Sequence, residues 1–506
     1  MQSTLLQGHP YSSCPALPAL TGSQVSTRQR TAPSLVVLRA VAQGTEAAEQ
    51  LLQRASTSGN NTQEQANGNG ATRLDGKAFR RALGKNGKYI RTPKNDPDSL
   101  ALMDTHGVGY STTGLVAQMR ANGNRWQHKD VSIKLAQAFG YCWGVQRAVE
   151  MAYEARKQYP GQKLHITNEI IHNPAVNQRL KEMDITIIQE QDGAKDFSHV
   201  KPDDVVILPA FGASLQEMML LSDRGVNIVD TTCPWVSKVW NAVDRQARKS
   251  HTSIIHGKYS HEETVATASF ATTYLIVKDL GEAQEVCDYI NNGGDKHAFL
   301  TKFKNAVSEG FDPDRDLVRV GLANQTTMLR NETLNIGKLL ERTMMQKYGP
   351  AELKEHYMVM DTICDATQER QTAVYELVDK QPDMPEPEKL DMMIVVGGFN
   401  SSNTSHLQEI PEMRGIPSFW VNSAACIDVK RNRISHRLAH GEMRETQEWL
   451  PEGPVSIAIT SGASTPDRAI EEVLDRVFKI RDPKFTGIAP KLELLASAVP
   501  DRPEEH

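Results

Sequence analysis

The sequence predicts an α/β protein with mostly parallel sheets, and three observations support this fold class. From about Val131 onward, short apolar strands alternate regularly with amphipathic helices. The apolar runs at 205–213 and 392–396 are far shorter than the roughly 20 residues of a membrane helix, and short runs of this kind are typical of buried parallel strands. Three times, a strand leads to a cysteine and then to a helix, which predicts three units of similar design.

The expected strands are separated by helical patterns. They are VSIKLA from Val131, DDVVILPAF from Asp203, VNIVD from Val226, TSIIHG from Thr252, TYLIV from Thr273, RVGLAN from Arg319, MMIVVGG from Met392 and VSIAIT from Val455. A proline-rich segment at 380–389 predicts a surface loop. We therefore expect α/β domains at 131–232, 233–363 and 364–480, followed by a C-terminal tail at 481–506.

The N-terminal segment differs in composition from the rest of the chain. It contains Arg28, Arg30 and Arg39, many Ser and Thr, and no acidic residue before Glu46. This profile predicts an organelle transit peptide at 1–42, with a disordered cytosolic tail as the alternative. Residues 43–76, rich in Gly, Asn and Gln, indicate a disordered linker, and residues 77–130 form a weakly patterned N-terminal extension.

The charge of the chain argues against a nucleic-acid partner. Its formal net charge is -5, and removal of the three arginines of the predicted transit peptide gives -5 - 3 = -8. A negative protein without a basic stripe has no electrostatic footprint for phosphate backbones. No apolar run is long enough for a membrane partner to be expected either.

The cysteines are too sparse for a disulfide framework. Cys14 would leave with the transit peptide, which leaves five cysteines in a long chain. No C-x-x-C occurs, which disfavours a zinc ribbon or a thioredoxin-type pair. Cys287 lies inside a helical pattern and Cys426 has no special setting, so both are predicted to be core residues.

Cys142, Cys233 and Cys364 share one setting, the turn between a strand and a helix. A helix N-terminus offers free N–H groups and a partial positive charge, which lower the pKa of a thiol and favour the thiolate that metals bind. The three residues are 91 and 131 positions apart (233 - 142 and 364 - 233), about one small domain each. Three ligands are one fewer than a closed zinc site or a fully protein-bound cubane uses, so one metal coordination position is expected to face the substrate.

Two further turns have the composition of an anion cradle. Each follows a buried strand, and together they contain Gly397, Gly398, Ser401, Ser402, Asn403, Gly462, Ser464 and Thr465. Small residues permit close backbone approach, and hydroxyl and free N–H groups suit phosphate oxygens. Helix capping by Ser and Thr is the alternative for either turn alone, whereas two such turns favour a phosphorylated ligand.

Three polar clusters also follow or interrupt apolar strands, where the active-site loops of α/β proteins gather. They are NEIIHNP with Glu169, His172 and Asn173, HGKYSHEET with His256, His261, Glu262 and Glu263, and ANQTTM with Asn324, Gln325, Thr326 and Thr327. His and Glu can exchange protons near neutral pH, and Thr can relay one.

Taken together, these motifs resemble the 4-hydroxy-3-methylbut-2-enyl diphosphate reductase family, in its plastid and cyanobacterial form. The resemblance covers about residues 131–479 and rests on GYCWGV, NEIIHNP, VDTTCPWVSKVW, HGKYSHEET, ANQTTM, TICDATQERQ, NSSNTSHL and TSGASTPD. It implies a trefoil of three α/β domains around a central iron–sulfur site. It also implies the last step of the methylerythritol phosphate route to isoprenoids, in which a hydroxyl is removed reductively to give isopentenyl and dimethylallyl diphosphates.

The resemblance also implies roles for individual residues. Cys142, Cys233 and Cys364 would hold one 4Fe-4S cluster, whose unique iron binds the allylic hydroxyl oxygen. Glu263 matches the proton donor and Thr326 the relay. The expected substrate-binding residues are His172, His261, Ser401, Asn403 and Ser464, with Ser402 and Thr367 close by. Phe211 stands where enteric bacterial members have a histidine, and we expect it to lie outside the site.

The implied partners follow from the chemistry. No nicotinamide or flavin fingerprint is present, so an external one-electron carrier is needed, which in the plastid stroma is ferredoxin in this family. The sequence leaves open whether the protein forms a homodimer. Two alternative functions compete with this interpretation. The first is a three-cysteine 4Fe-4S enzyme of the quinolinate synthase type, which has different motifs. The second is a non-enzymatic metal or redox sensor with four protein ligands, which would leave Glu263 and Thr326 without a role.

Overall fold

A computed structural model describes residues 75–486 except 86, 192–193, 361, 386–388 and 440. The predicted transit peptide, nearly all of the predicted linker and most of the predicted C-terminal tail lie outside the described residues.

The strands alternate with helices along the chain. The strands are β1 (Tyr89–Ile90), β2 (Arg125–His128), β3 (Val131–Leu135), β4 (Leu164–Ile166), β5 (Ile185–Ile187), β6 (Glu190–Gln191), β7 (Ala194–Lys195), β8 (Val205–Leu208), β9 (Asn227–Asp230), β10 (Thr252–His256), β11 (Tyr274–Val277), β12 (Val320–Asn324), β13 (Tyr357–Val359), β14 (Met392–Val396), β15 (Ser418–Val421), β16 (Ile427–Asp428), β17 (Arg433–Arg437), β18 (Met443–Gln447) and β19 (Val455–Ser461).

The α-helices cover the faces of the sheets, and two short 3₁₀ turns occur at Gln381–Asp383 and Ala424–Cys426. The helices are α1 (Gly76–Lys85), α2 (Pro97–His106), α3 (Leu115–Ala121), α4 (Trp143–Gln158), α5 (Pro174–Glu182), α6 (Leu215–Asp223), α7 (Pro234–Arg248), α8 (Glu262–Ala268), α9 (Leu280–Asn292), α10 (Lys296–Lys302), α11 (Pro313–Asp316), α12 (Arg330–His356), α13 (Asp365–Val378), α14 (Ser402–Met413) and α15 (Asp467–Arg481).

Three main sheets organise the described residues into three lobes. The first lobe has the parallel strand order β1-β9-β8-β4-β5, and the second has the parallel order β11-β10-β12-β13. The third lobe has the order β16-β17-β15-β14-β19-β3-β2, with β18 paired to β17. Its four central strands are parallel and its edges are antiparallel. The predicted α/β class with mostly parallel sheets is confirmed.

The strand pairing differs from the predicted domain division at its start. We expected β3 to open the first domain, but it pairs in parallel with β19 of the third lobe, with Val131 opposite Val455. The predicted extension is likewise divided, because β1 joins the first sheet through β9 and β2 joins the third sheet through β3. The apolar residues of a strand predict that the strand is buried, but they do not specify which strands it pairs with. The sheet that β1, β2 and β3 each join was therefore not predictable from the pattern.

All the expected strands are present, and the strands that were missed lie mainly at sheet edges. The hairpin of β17 and β18 was not predicted, because β18 carries the letters MRETQ and is exposed along almost its whole length. A solvated edge strand needs no apolar alternation. In the described part of the chain, no helix has the length and apolar character required to cross a bilayer.

Candidate active site

Each of the three predicted cysteine ligands is the N-cap residue of a long helix. Cys142 precedes α4, Cys233 precedes α7 and Cys364 precedes α13, and none of the three side chains caps its own helix. Pro234 occupies the first position of α7, where its missing N–H costs nothing. The thiols are therefore held at rigid helix ends and remain free to bind another group.

The three thiols lie close together although they come from distant parts of the chain. A Cβ atom added to Gly144 would lie 2.5 Å from the Cys233 Sγ and 3.9 Å from the Cys142 Sγ, so the two sulfur atoms are at most 2.5 + 3.9 = 6.4 Å apart. Cys364 is near enough to Cys142 and Cys233 for their charges to interact. A glycine at position 144 is required because any side chain there would collide with the Cys233 sulfur.

The pKa values of these thiols correct one expectation from the sequence. Burial, with a smaller contribution from the neighbouring Cys142, raises the pKa of Cys233 to about 12 and that of Cys364 to about 11. The helix N–H groups of Trp235 and Thr367 do lower the pKa values, as predicted, but burial has the larger effect. Without a cationic group beside them, Cys233 and Cys364 are held as thiols.

The cysteine set suits a multi-iron cluster better than a single ion. Thiolates bound to one tetrahedral zinc at 2.3 Å would lie about 3.8 Å apart. Among the described residues, the set of possible metal ligands whose ligand atoms all lie within 4.8 Å of one another is His172, His261 and Glu262, and the three cysteines do not form such a set. Three converging sulfur atoms at wider spacing fit three of the four iron corners of a cubane cluster.

Backbone hydrogen bonds connect the cysteine turns to other turns of the candidate site. The Cys142 N–H donates to the Ala463 carbonyl at 3.2 Å, directly before the predicted substrate residue Ser464. The Cys233 N–H donates to the Ala210 carbonyl at 2.8 Å. The parallel strands that precede these turns end at the same edge of their sheets, and this brings the turns together.

Glu263 and Thr326 form a buried pair in the second lobe. The Thr326 N–H donates to the Glu263 Oε1 at 2.5 Å, and the Thr326 hydroxyl lies 2.9 Å from Oε2. The Glu263 side chain is almost fully buried, and this burial raises its pKa from 4.5 to about 7, against the opposing hydrogen bonds from Thr326. The Thr362 hydroxyl bonds the Asn324 amide oxygen and thereby links the turn before Cys364 to the turn that carries Thr326.

We expect Thr326→Val to reduce turnover by roughly 10- to 100-fold, because a hydrogen bond to a charged group is worth about 1.5–3 kcal/mol. The valine keeps the backbone N–H to Glu263 but removes the hydroxyl at 2.9 Å. The pKa of Glu263 should rise further, so the alkaline limb of the pH–rate profile should move to higher pH. Thr326→Ser is the matched control and should keep most of the activity; a valine variant as active as the serine variant would contradict the relay role.

His172 and His261 face each other across the interface of the first and second lobes. Their ring centroids are 5.4 Å apart. The His261 Nδ1 accepts the Glu263 N–H at 3.1 Å, and burial holds the pKa of His261 well below 6.5, so its Nε2 carries the proton. The His172 Nδ1 bonds Glu169 at 3.0 Å, and its Nε2 is buried without a partner. The Nε2–H of His261 can donate to an anionic ligand, and the Nε2 of His172 has no partner among the described residues.

Phe211 lies in the site, which corrects the expectation that it would not. Its ring stacks on His172 at a centroid distance of 5.0 Å with 14° between the planes, and it contacts the edge of His261 at 6.2 Å. It follows Ala210, the backbone partner of Cys233. Phe211 cannot bond a phosphate, but it fixes the plane of the His172 ring and covers it with an apolar face.

The two predicted cradle turns of the third lobe meet each other and the first lobe. The Ser464 hydroxyl donates to the His172 carbonyl at 3.3 Å, and a Cβ at Gly398 would lie 2.3 Å from the same carbonyl oxygen. Buried polar atoms without a partner are found here on Ser402 and Asn403. Such atoms cost free energy unless a ligand satisfies them, so they indicate a polar ligand.

Two predicted substrate residues also have structural roles. Ser401 is the N-cap of α14 and accepts the N–H of Thr404 at 3.3 Å, so the capping alternative holds for its oxygen. Thr367 lies beside Cys364, where its N–H and its hydroxyl lower the pKa of that thiol, which makes it a neighbour of the candidate cluster.

Sequence reasoning missed His406, which is 5% exposed. Its Nδ1 bonds Glu409 at 2.9 Å and its Nε2 is buried without a partner, the same arrangement as in His172. It is also near enough to His261 to lower the pKa of that ring. Its position one helical turn after Ser402 in α14 was the available signal, because residues at this spacing share a helix face.

Comparison with known proteins agrees with this geometry. The LytB protein family model matches residues 133–478. A chloroplastic 4-hydroxy-3-methylbut-2-enyl diphosphate reductase from Botryococcus braunii is 69% identical over 435 residues, covering 86% of each chain. The reductase of the same name from Thermosynechococcus vestitus is 57% identical over 408 residues, covering 81% of this chain and 98% of the relative.

The fold has a counterpart among solved structures. The E-1-hydroxy-2-methyl-but-2-enyl-4-diphosphate reductase from Plasmodium falciparum superposes with a TM-score of 0.50 at 23% identity, over 68% of this chain and 86% of that one. At this identity the likeness concerns the fold alone. The match of the family model to most of the chain and the identity to curated relatives lead to one conclusion: this chain belongs to the LytB protein family.

Proposed function

We propose that this protein is a chloroplast iron–sulfur reductase that converts 4-hydroxy-3-methylbut-2-enyl diphosphate to isopentenyl and dimethylallyl diphosphates, the last step of the methylerythritol phosphate pathway. The observation that carries the proposal is the convergence of three cysteine N-caps beside a buried, protonatable Glu263. The relatives at 69% and 57% identity bear this enzyme's name, and the first of them is chloroplastic.

The family is one of iron–sulfur enzymes. On this proposal Cys142, Cys233 and Cys364 hold one 4Fe-4S cluster through their thiolates. When bound, such a cluster supplies electrons and a Lewis-acidic iron for the allylic oxygen. The protein contributes the apolar enclosure and the fixed geometry of the three helix ends.

The polar turns orient the diphosphate end of the substrate. His261 offers its protonated Nε2, and His172 offers an Nε2 without a partner. The Ser402 hydroxyl and the Asn403 amide add buried polar atoms that lack a protein partner. Ser401 and Ser464 lie in the same two turns, so the hydrogen-bonding groups around the diphosphate come from both the first and the third lobes.

The reduction takes up two electrons and two protons: Glu263 delivers the proton that converts the leaving hydroxyl to water as the C–O bond breaks, and the second proton is added to an allylic carbon of the product. Its pKa of about 7 keeps a substantial fraction of the carboxyl protonated at neutral pH, and the Thr326 hydroxyl 2.9 Å from Oε2 can pass a proton onward. The two electrons come from outside the chain, and we propose ferredoxin as the donor because an apolar 4Fe-4S site accepts electrons one at a time.

The pH dependence of turnover tests the role of Glu263. A proton donor must carry its proton, so kcat/KM should be level at acidic pH and fall about tenfold per pH unit above a pKa of about 7. The measurement is steady-state turnover from pH 5.5 to 9 under anaerobic conditions. Inhibition by inorganic diphosphate over the same range serves as the control, because it reports the titration of the ligand and its binding groups without the chemical step. A rate that rises through pH 8 would contradict an acid role.

Turnover of the allylic diphosphate by anaerobically purified protein tests the function as a whole. We expect both isomeric products, with iron and sulfide in the preparation and a spectral change of the cluster on substrate addition. A quinolinate synthase activity would instead condense iminoaspartate. A sensor would contain metal but show no substrate-dependent spectral change and no product.

A further inference from the structure

A half-enclosed cavity of about 190 Å³ adjoins the candidate diphosphate turns. Its lining includes Lys258, Phe399, Ser401, Ser405, Trp420 and Arg437. Lys258 comes from the loop after β10 in the second lobe, whereas the other five residues belong to the third lobe. Ser401 is shared between this cavity and the candidate cradle, so the two adjoin each other.

Arg437 is fixed in the cavity wall without losing its charge. Its guanidinium donates to the backbone carbonyls of Phe399 and Gly441 and lies over the Phe399 and Trp420 rings at 5.9 and 5.4 Å. Among the described residues, no carboxylate forms an ion pair with it. Carbonyls and rings orient a guanidinium, but they leave its net positive charge for a ligand.

Lys258 is a second cation on the same cavity, and its ammonium group has no ion-pair partner among the described residues. Burial lowers its pKa, Arg437 lowers it further by repulsion, and Glu409 opposes them. Lys258 also acts on His261, whose pKa it lowers. The ammonium therefore lies within electrostatic reach of both the outer Arg437 and the inner His261.

The nearby carboxylate does not neutralise the two cations. Glu409 accepts from the His406 ring at 2.9 Å and from the Ser405 hydroxyl at 3.3 Å, so its hydrogen-bonding capacity is directed to these groups. The described lining residues include the two cations and no carboxylate, so the cavity wall is positive. A multiply charged anion would relieve the repulsion between Lys258 and Arg437, and a phosphate oxygen suits both an ammonium and a guanidinium.

We propose that the cavity lined by Lys258 and Arg437 is an outer anion subsite, which binds the diphosphate end of the substrate before it reaches the inner turns and of the product as it leaves. The inference rests on the proposed function, since a diphosphate ligand gives the subsite its purpose. The inner turns supply mostly neutral donors, so the outer cations attract the anion and the inner groups orient it.

Lys258→Met tests the subsite, because this side chain lines the cavity and its ammonium forms no ion pair with another described residue. We expect kcat/KM for the allylic diphosphate to fall about tenfold while kcat changes less than about twofold, as for a group that binds without joining the chemistry. The inhibition constant of inorganic diphosphate should rise by a similar factor. Lys258→Arg should restore both, and the dependence of kcat/KM on salt should be weaker in the methionine variant.

Lys304→Met, at an exposed position in the second lobe, is the matched control for loss of one positive charge. If Lys258→Met keeps the kcat/KM and the diphosphate inhibition of this control, the subsite is refuted. The unfolding temperature and the iron content of the holoenzymes show whether a variant has failed to fold. If Lys258→Met has failed to fold, the kcat/KM of Lys258→Arg decides whether the subsite exists. Absence of turnover in the wild type would instead overturn the proposed function, and diphosphate binding by calorimetry would still test the subsite.

Discussion

Serine at position 142, 233 or 364 is expected to remove iron and sulfide from the anaerobically purified protein and to lower turnover by about 10³-fold or more. Each of these cysteines is the sole sulfur ligand that its helix start provides, and none caps its helix, so the substitution removes a ligand with little damage to the fold. A hydroxyl is a much weaker iron ligand than a thiolate at neutral pH. The measurements are iron and sulfide content, the visible spectrum and turnover.

The remaining two described cysteines provide the matched controls. Cys287 is fully buried within α9, and Cys426 lies 3.2 Å from the Asn422 amide oxygen at its own 3₁₀ turn. Serine at either position should leave the iron content unchanged, although the buried hydroxyl at position 287 should lower the unfolding temperature. Equal iron loss in all five variants would refute the assignment of the three ligands.

Glu263→Gln is expected to reduce kcat by about 10²- to 10⁴-fold with the iron content intact. The amide oxygen of glutamine can still accept the Thr326 N–H, now made at 2.5 Å by Oε1, so the turn should keep its shape. The amide has no acidic proton to give to the leaving hydroxyl. The KM should change little, because Glu263 is not among the groups proposed to bind the diphosphate.

Glu285→Gln is a suitable control for this variant. Glu285 is exposed on α9, where it pairs with Lys302, so its loss should leave kcat and the pH profile unchanged. If Glu263→Gln turns over at the rate of this control, Glu263 is not the proton donor. If the Glu263→Gln protein loses both its activity and its iron, Glu263 supports the cluster and its assignment as proton donor is wrong.

The local pattern of the sequence was sufficient to predict eight of the 19 strands in the described residues, and it also predicted the helix starts at the cysteines. The apolar run of β14 is buried at every position, and Pro234 begins α7 as expected. These features depend on neighbours within a few residues, where periodicity and capping rules operate. The parallel α/β class followed from the same local signals.

The tertiary contacts of these strands and helices were not predictable from the local pattern. Strand β3 precedes Cys142 in the chain but lies in the third sheet, which local apolar pattern cannot specify. Phe211 was placed outside the site from its inability to bind phosphate, yet it stacks on His172. The pKa values of Cys233 and Cys364 rise because burial outweighs the helix N–H groups, and the extent of burial exists only in the folded chain.

The sequence by itself determined the fold class, the three cysteines at helix starts and the chemical types of side chain available at each turn. Only the tertiary structure decided that three lobes bring these turns to one place, that Glu263 is buried deeply enough for a pKa of about 7, and that Lys258 and Arg437 share a cavity. The physical reason is that secondary structure follows from contacts between near neighbours in the chain. The burial of ionisable groups and the distances between charged side chains depend on contacts between residues that are far apart in the chain.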